Sequence, residues 1–576
     1  MKFALAPINP TIGDVHANAA RIADAVTSAA SQGATLVASP ELAVSGYPPK
    51  DLLLHEGFVA DAMHAARSLA TVAPKVRVVV GCPWLNDDAT IANALLVLHK
   101  GRIDALYRKQ LLPTYDVFDE DRYFTPGDES VIIEHDGLRI GLSVCEDLWR
   151  GADAGALARY AGMPDPVANA ARAGADLLLN PSASPFVLGK GQAHRRLLQA
   201  HAATHNLAVA ALNQLGGNDD LIFDGHAAIY VPDPTSHTGA RLVAGQIFSD
   251  QTLLFDLPSD RNAWAALPEA PEPLETLEPE HLLWNALVLG VRDYCRKTGF
   301  SRVILGLSGG IDSALTACIA AAALGPSNVL TVGLPSRYSS EGSLTDARAL
   351  ADALALQFLT TPIAPLHNAA ESTLTDAYAA LGLPPPSPDA PDVAMENVQS
   401  RIRGLLLMAF SNRTGALLLT TGNKSELAVG YCTLYGDMNG GLAVISDVTK
   451  AQVYRLSRWI NANPARAGFR APPIPESTIT KAPSAELRPD QTDQDTLPPY
   501  DVIDEIVSRY VEHRQSLARI AHETRIEAEI VERIARMIDV AEFKRKQTAV
   551  GLKVSSIAFG PGRRVPIAQR WRPRAT

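Results

Sequence analysis

"VILGLSGGIDSALTA", residues 303–317, changes character at its middle. Val303 to Leu307 is a short apolar run of the kind buried in a parallel sheet, and "SALTACIAAAALG" (313–325) is rich in helix formers and stopped by Gly325. Between them, Ser308, Gly309 and Gly310 offer almost no side-chain bulk. Strand, glycine turn and helix in succession are the building unit of an α/β fold. Such a turn lets backbone N–H groups approach phosphate oxygens, and the helix N-terminus favours their charge. Ser308 and Ser313 can add hydroxyl donors, and Asp312 can hold Mg²⁺ against the phosphates. Neither GxxxxGK[ST] nor GxGxxG is present, so ordinary P-loop and dinucleotide readings do not apply.

Outward from this stretch, a helix is expected over "HLLWNALVLGVRDYCRKTG" (281–299), and strands over "NVLTVGLP" (328–335) and "ALLLTTGN" (416–423). The C-terminal stretch reads as mostly helical with a basic, extended tail. "LGLPPPSPDAPDVA" (381–394) reads as a Pro-rich loop, expected to be mobile without ligand. Residues 282–576 are thus expected to form one doubly wound α/β domain with a parallel sheet. Residues 257–281 contain five prolines and many acids and read as a linker. Residues 1–256 form a second α/β pattern. Its strand candidates are "KFALAPI", "TLVASP", "VRVVVGC", "NALLVLHKGRIDALY", "RIGLSV", "DLLLNPSA", "LAVAALNQ" and "HAAIYVP", with a helix over "HANAARIADAVTSAASQG".

A chain of 576 residues needs more than one core, and 47% hydrophobic with 20% charged residues fits globular domains. The net charge of −10 argues against a nucleic-acid partner but leaves room for a local basic pocket. Five scattered cysteines without a CxxC pair exclude a disulfide framework or zinc knuckle and favour a reducing cytoplasm. "MKFALAPINPTIGD" is broken by Pro7, Asn9 and Pro10, so it reads as a first strand rather than a leader. No apolar run is long enough for a membrane-spanning helix, and no membrane partner is expected.

Three reactive residues follow three predicted strands: Glu41 in "LVASPELAVSGYPPKD", Lys109 in "LYRKQLLPTYDVFDEDRYF" and Cys145 in "LSVCEDLW". A carboxylate can take the thiol proton, an ammonium can stabilise thiolate and oxyanion, and the thiolate can attack an amide carbon. Glu146 and Asp147 beside the cysteine should raise its pKa, so Lys109 must offset them and their side chains must point away from the sulfur. Singly, each motif is more often structural: a lone buried cysteine after a strand is usually packing.

Together these motifs resemble the nitrilase superfamily, on the Glu41–Lys109–Cys145 set with Glu120 as the second glutamate. The resemblance implies an αββα sandwich and hydrolysis of a carbon–nitrogen bond. "NPSASPFVLGKGQAHRR" resembles the substrate segment of its glutaminase members, which implies glutamine contacts at Ser184, Lys190 and Tyr115. SGGIDS resembles the ATP pyrophosphatases, which adenylate a substrate oxygen and release pyrophosphate. GMP synthetases pair that loop with a Cys–His–Glu glutaminase, and asparagine synthetases with an N-terminal cysteine; here position 2 is Lys2. The pairing seen here, with "MENVQSRIRGLLLMAFSN", "LLLTTGNKSELAVGYCTLYGDMNGGLAVISDVTK" and "KAPSAELRPDQTDQDTLPPYDVID", resembles the glutamine-dependent NAD⁺ synthetases along the whole chain.

That resemblance implies an ATP loop of Gly306, Leu307, Ser308, Gly309, Gly310, Ile311, Asp312 and Ser313, with Thr421 and Lys450 also on ATP. It implies deamido-NAD⁺ contacts at Asn397, Glu426, Asp437 and Lys544, and Mg²⁺ at Asp312 and Glu426. Arg401 or Arg403 could meet phosphate, and Lys546 competes with Lys544. The small-molecule partners are deamido-NAD⁺, ATP as co-substrate and L-glutamine. A homo-oligomer is expected by the same resemblance, and an internal ammonia passage is expected because ammonia must not protonate in bulk water before it attacks. A different carboxylate acceptor for the amidation is the alternative.

Overall fold

The computed structural model describes residues 1–150, 160–271, 277–384 and 392–575. The chain divides into two compact units, Met1–Pro279 and Glu280–Thr576.

In the first unit the strands are β1 (Lys2–Leu5), β2 (Leu36–Ala38), β3 (Arg77–Leu85), β4 (Ile91–His99), β5 (Arg102–Arg108), β6 (Ile132–His135), β7 (Leu138–Leu142), β8 (Leu177–Ser182), β9 (Ala208–Asn213), β10 (Leu215–Asn218), β11 (Leu221–Asp224), β12 (Ala227–Pro232), β13 (Ala240–Gln246) and β14 (Leu253–Asp256). They build two six-stranded sheets, ordered β14-β1-β2-β3-β4-β5 and β13-β12-β9-β8-β7-β6, with β10-β11 as a separate hairpin. Alternate residues face opposite ways along a strand. Phe3, Leu5, Leu36, Ala38, Val79 and Val97 therefore meet Ile140, Leu142, Leu177, Leu179, Ala210 and Ile229 in one buried layer between the sheets. Ala4, Val37, Val78 and Val80 face the other way, into a cluster with Ile22, Val26, Ala62 and Ala66 of the helices Val15–Ser31 and Phe58–Ser68. Leu178, Val209, Ala211 and Tyr230 do the same with Val167, Ala170, Leu198 and Ala202 of the helices Pro166–Arg172 and Lys190–His205. The result is the expected helix–sheet–sheet–helix sandwich. Strands covered on both faces show as unbroken apolar runs in sequence.

The stretch "NALLVLHKGRIDALY" reads as one strand but is two. The chain reverses at Lys100-Gly101, with φ of 51° and 80°, and β4 pairs antiparallel with β5. Two consecutive left-handed residues make a tight hairpin turn, and a lysine in the first position conceals it because Asn, Asp or Gly usually stands there. The stretch 257–281, linker-like in composition, also carries structure. Leu257 and Trp264 are buried with the inter-sheet layer, a short helical turn covers Arg261–Ala266, and a helix starts at Pro279. Apolar side chains at 257 and 264 give that part of the chain something to bury. Residues 272–276, and residues 385–391 of the Pro-rich loop expected at 381–394, lie outside the described residues.

In the second unit β15 (Val303–Gly306), β16 (Val329–Gly333), β17 (Gln357–Thr360), β18 (Leu417–Thr420), β19 (Leu442–Ala443) and β20 (Val550–Gly551) form one sheet ordered β17-β16-β15-β18-β19-β20. Every neighbouring pair is parallel. The direction of progression reverses between β15 and β18. Loops leaving the carboxyl ends of those two strands therefore part, and a crevice opens there. The SGGIDS loop follows β15, and "TGNKSE" follows β18. The helix Ile311–Leu324 is buried along most of its length, which its run of alanines permits. The expected C-terminal helices are present: Tyr500–Val507, Leu517–Thr524 and Ala528–Val540 share a core with Ala428 and Val429. No described helix is long and apolar enough to cross a membrane.

Candidate active sites

In the first unit, Glu41, Lys109 and Cys145 follow β2, β5 and β7, and the sandwich brings them to one place. The turn carrying Glu41 lies directly over Gly81 of β3, where a Cβ would stand 2.3 Å from the Pro40 carbonyl oxygen. Lys109 is fully buried, and its Nζ lies 2.7 Å from Glu41 Oε1 and 2.8 Å from Glu120 Oε2. Asn93, from the middle of β4, donates to Glu41 Oε1 at 2.7 Å, the Ala183 N–H donates to Glu41 Oε2 at 2.7 Å, and Tyr47 donates to Glu120 Oε1 at 2.8 Å. Cys145 opens a short helical turn, Cys145–Leu148, with φ of 43°. A β-carbon-bearing residue in that region is strained, and such strain gathers at reactive positions.

Electrostatics fix the resting state. Burial raises the Cys145 thiol well above its ordinary range, Glu41 adds to this, and Lys109 offsets only part of it. The sulfur therefore rests as a thiol, and Lys109 alone does not make it a thiolate. Burial also opposes the charge on Lys109, but Glu120 and Glu41 outweigh it and hold the ammonium well above the usual lysine range. Glu120 is raised to about 7, by burial first and against the pull of Lys109. The folded state thus holds a proton on Glu120 between its ordinary 4.5 and about 7, where the unfolded chain has lost it. Stability from this group is complete at low pH and is lost as pH rises through that window. Glu120→Gln should therefore gain in thermal midpoint relative to wild type as pH rises from about 5 to about 8; a midpoint difference that shrinks over that range would contradict the assignment.

The two acids beside the cysteine separate in role. Asp147 is fully buried and committed to four donors. Glu146, also buried, accepts from Tyr115 at 3.1 Å and from Tyr160 at 3.0 Å. Burial raises its pKa, and Lys109 and Lys190 oppose this. Lys190 Nζ reaches Ser184 Oγ at 3.2 Å and stands 5.5 Å from the centre of the Trp149 ring. Tyr115, Ser184 and Lys190 are thus gathered around Glu146, next to the sulfur. Asn93 and Tyr47 were not legible as site residues from spacing, although a lone Asn in the apolar run "IANALLVL" is a signal of a buried polar contact.

In the second unit, Lys450 Nζ is gripped by Asp312 Oδ2 at 2.6 Å and Glu426 Oε1 at 3.0 Å. Asp312 stands in the first turn of the helix Ile311–Leu324 that follows β15, and Glu426 in the first turn of the short helix Lys424–Val429 that follows β18. Asn423 joins them: its Nδ2 donates to Asp312 Oδ1 at 2.8 Å, and its Oδ1 accepts the Glu426 N–H at 3.0 Å. The adjacent Lys424 is fully buried, 2.9 Å from Asp447 and 2.7 Å from Glu512, and anchors that turn. Neither Asn423 nor Lys424 was expected from sequence. Burial, then the like charge of Asp312, raises Glu426 to about 7 against the pull of Lys450. Two half-buried carboxylates converging on one cation also suit a divalent metal ion. Among the described residues no cluster of three or more His, Cys, Asp or Glu forms a metal cage. A hard cation at Asp312 and Glu426 would complete its shell with phosphate oxygens and water, as Mg²⁺ does with nucleotides.

A cavity of about 660 Å³ opens at this point, and Gly306, Asp312, Asn397, Thr421, Glu426, Asp437, Lys450 and Lys544 all line it. Asn397 accepts from the Thr433 hydroxyl at 2.8 Å, and Asp437, raised by burial, accepts the Thr433 N–H at 2.6 Å. Arg403 lines the cavity, whereas Arg401 donates to the Leu434 carbonyl and is exposed. Lys544 lines it too and donates to the Gly430 and Cys432 carbonyls, whereas Lys546 stands outside near Glu542. Ser308 and Ser313 hydroxyls are 3.1 Å apart across the glycine turn. Gly309 has φ of 80°, and a Cβ there would meet the Ser343 carbonyl oxygen at 2.1 Å. Gly309→Ala should therefore cost about 1–3 kcal/mol or more in stability. Denaturant unfolding of the variant beside wild type measures that cost.

Comparison with known proteins covers both units. Residues 2–259 match the carbon-nitrogen hydrolase family and residues 283–548 the NAD synthase family. The chain is 44% identical over 584 residues to the glutamine-dependent NAD(+) synthetase of Synechocystis sp., with 100% of both chains covered. It is 42% identical over 579 residues to that of Rhodobacter capsulatus, covering 100% of this chain and 99% of the relative. Among solved structures, the glutamine-dependent NAD⁺ synthetase of Acinetobacter baumannii in complex with adenosine diphosphate superposes with a TM-score of 0.74 at 34% identity, over 98% of each chain.

Proposed function

The chain belongs to the glutamine-dependent NAD⁺ synthetases, and we propose how its residues divide that reaction between two sites. The enzyme is a carbon–nitrogen ligase with glutamine as amido donor. It converts deamido-NAD⁺, ATP, glutamine and water to NAD⁺, AMP, pyrophosphate and glutamate.

At the first site Glu41 takes the Cys145 proton as the sulfur attacks the glutamine carboxamide carbon. Lys109 stabilises the developing oxyanion. Ammonia leaves with a returned proton, and water then cleaves the thioester to release glutamate. Glu120 holds Lys109 in place. Glu146, with Tyr115, faces the α-ammonium group of glutamine, and Lys190 with Ser184 faces its α-carboxylate. At the second site the loop Gly306–Ser313, Thr421 and Lys450 hold ATP. Asn397, Glu426, Asp437 and Lys544 hold deamido-NAD⁺. The nicotinate carboxylate attacks the α-phosphorus, pyrophosphate leaves, and ammonia displaces AMP from the acyl adenylate. Mg²⁺, held by Asp312 and Glu426, would supply charge neutralisation for the phosphates. Ammonia reaches this step unprotonated, shielded from bulk water. Five free thiols support a reducing compartment, the cytoplasm, and self-association follows from the family resemblance.

The observation that carries this reading is the pairing of a buried Glu41–Lys109–Glu120 cluster beside Cys145 with an SGGIDS loop at a sheet's switch point, in one chain. The test is NAD⁺ formation from deamido-NAD⁺ and Mg-ATP with glutamine or ammonium. Product from both donors is expected. No product from either, with turnover of some other carboxylate, would move the acceptor assignment to a different acid.

A further inference from the structure

Asp147 lies two residues after the nucleophile and is not among the groups assigned above. Its side chain is fully buried. Oδ2 accepts the Val144 N–H at 2.8 Å and the Tyr107 hydroxyl at 2.7 Å. Oδ1 accepts the Gln110 N–H at 3.1 Å and the Leu111 N–H at 2.9 Å. Val144 is the residue before Cys145, while Tyr107, Gln110 and Leu111 bracket Lys109. One carboxylate thus joins the turn that carries the sulfur to the strand end that carries the ammonium. These segments end strands of different sheets, β7 and β5.

We propose that Asp147 is a positioning residue for the glutaminase step, a clip that fixes Cys145 against Lys109. The inference rests on Cys145 being the nucleophile. Three of its partners are backbone N–H groups, which can only donate, and the fourth is a hydroxyl. Four donors converging on two oxygens require a group that only accepts, and among side chains of this size that is an ionised carboxylate. An amide of the same shape presents an NH₂ to at least one backbone N–H. Either Val144 or the Gln110–Leu111 pair then loses its acceptor in a dry interior. Val144 is the more consequential loss, because its N–H braces the strained turn that holds Cys145 at φ 43°. The clip also accounts for a carboxylate so near a thiol: both of Asp147's oxygens are committed to these four donors.

The experiment compares Asp147→Asn, Asp147→Glu, Tyr107→Phe and Cys145→Ala in the full chain, with NAD⁺ formation from ammonium as the control for folding of the second site. Asp147→Asn should lower the glutamine-dependent kcat on the order of 100-fold, as a displacement near 1 Å does at a reacting centre. KM for glutamine should stay within about threefold, since the groups around Glu146 are untouched. Alkylation of Cys145 by iodoacetamide should slow in parallel, and Asp147→Glu should recover part of kcat. Tyr107→Phe removes one donor and leaves the three backbone N–H groups their acceptor oxygens, so it keeps the fold. It should lower kcat about three- to tenfold without changing KM. If Asp147→Asn does not fold, Tyr107→Phe decides alone: kcat within twofold of wild type refutes the clip. A folded Asp147→Asn with wild-type kcat also refutes it, as does a rise in KM with kcat unchanged. Cys145→Ala retaining glutamine activity would instead overturn the assignment of the nucleophile, a separate failure.

Discussion

Cys145→Ala should lose glutamine-dependent NAD⁺ formation by about 10⁴-fold or more while ammonium-dependent formation stays within about twofold of wild type. The size follows from what is removed. On the proposed mechanism the sulfur forms the covalent bond to the substrate. Water attacking the amide in its place would lack the thioester route. The specificity follows from charge. Cys145 rests as a neutral thiol because burial and Glu41 raise it, so alanine removes no resting charge from the cluster. Lys109→Met is a poorer probe: it would leave Glu41 and Glu120 buried without their shared cation, at a cost of about 3–5 kcal/mol. Its loss of activity would mix catalysis with unfolding. The measurement is initial rate with each nitrogen donor on the same preparation. Equal loss with both donors would mean that the sulfur's role is not confined to releasing ammonia.

Lys450→Met should abolish NAD⁺ formation with both donors, by about 10³-fold or more. Lys450 supplies the ammonium that pairs with both Asp312 and Glu426, at 2.6 and 3.0 Å. Its loss leaves two half-buried carboxylates without their shared cation at the SGGIDS loop, where ATP brings further negative charge. Glu426, already raised to about 7 in the presence of Lys450, should then stay protonated at neutral pH and no longer serve as an anionic ligand. Lys450→Arg should not rescue fully, because a planar fork cannot take the place of a compact ammonium held between two carboxylates in a dry pocket. The pair of variants is diagnostic: Cys145→Ala loses one nitrogen donor, Lys450→Met loses both. If Lys450→Met kept the ammonium reaction, Lys450 would have no part in holding ATP.

The sequence by itself determined what depends on local order. Strand, Ser-Gly-Gly turn and helix at 303–325 are adjacent in the chain, and the glycines and alanines allow no other compact arrangement as readily. Glu41, Lys109 and Cys145 were legible because each ends an apolar run, and the end of a strand is where a loop can present a side chain. Tertiary structure decided what depends on approach between distant segments. Lys100-Gly101 became a hairpin because β4 and β5 bury more apolar surface paired than extended, although its lysine gives no turn signal. Leu257 and Trp264 joined a core that no linker-like composition announces. Spacing could not choose Arg403 over Arg401 or Lys544 over Lys546, since neighbours on a helix differ by a rotation that only the packed cavity resolves. The same holds for Asn93, Tyr47, Asn423 and Asp147. Each is polar and buried, and its role is set by which donors and acceptors the fold leaves in need of a partner.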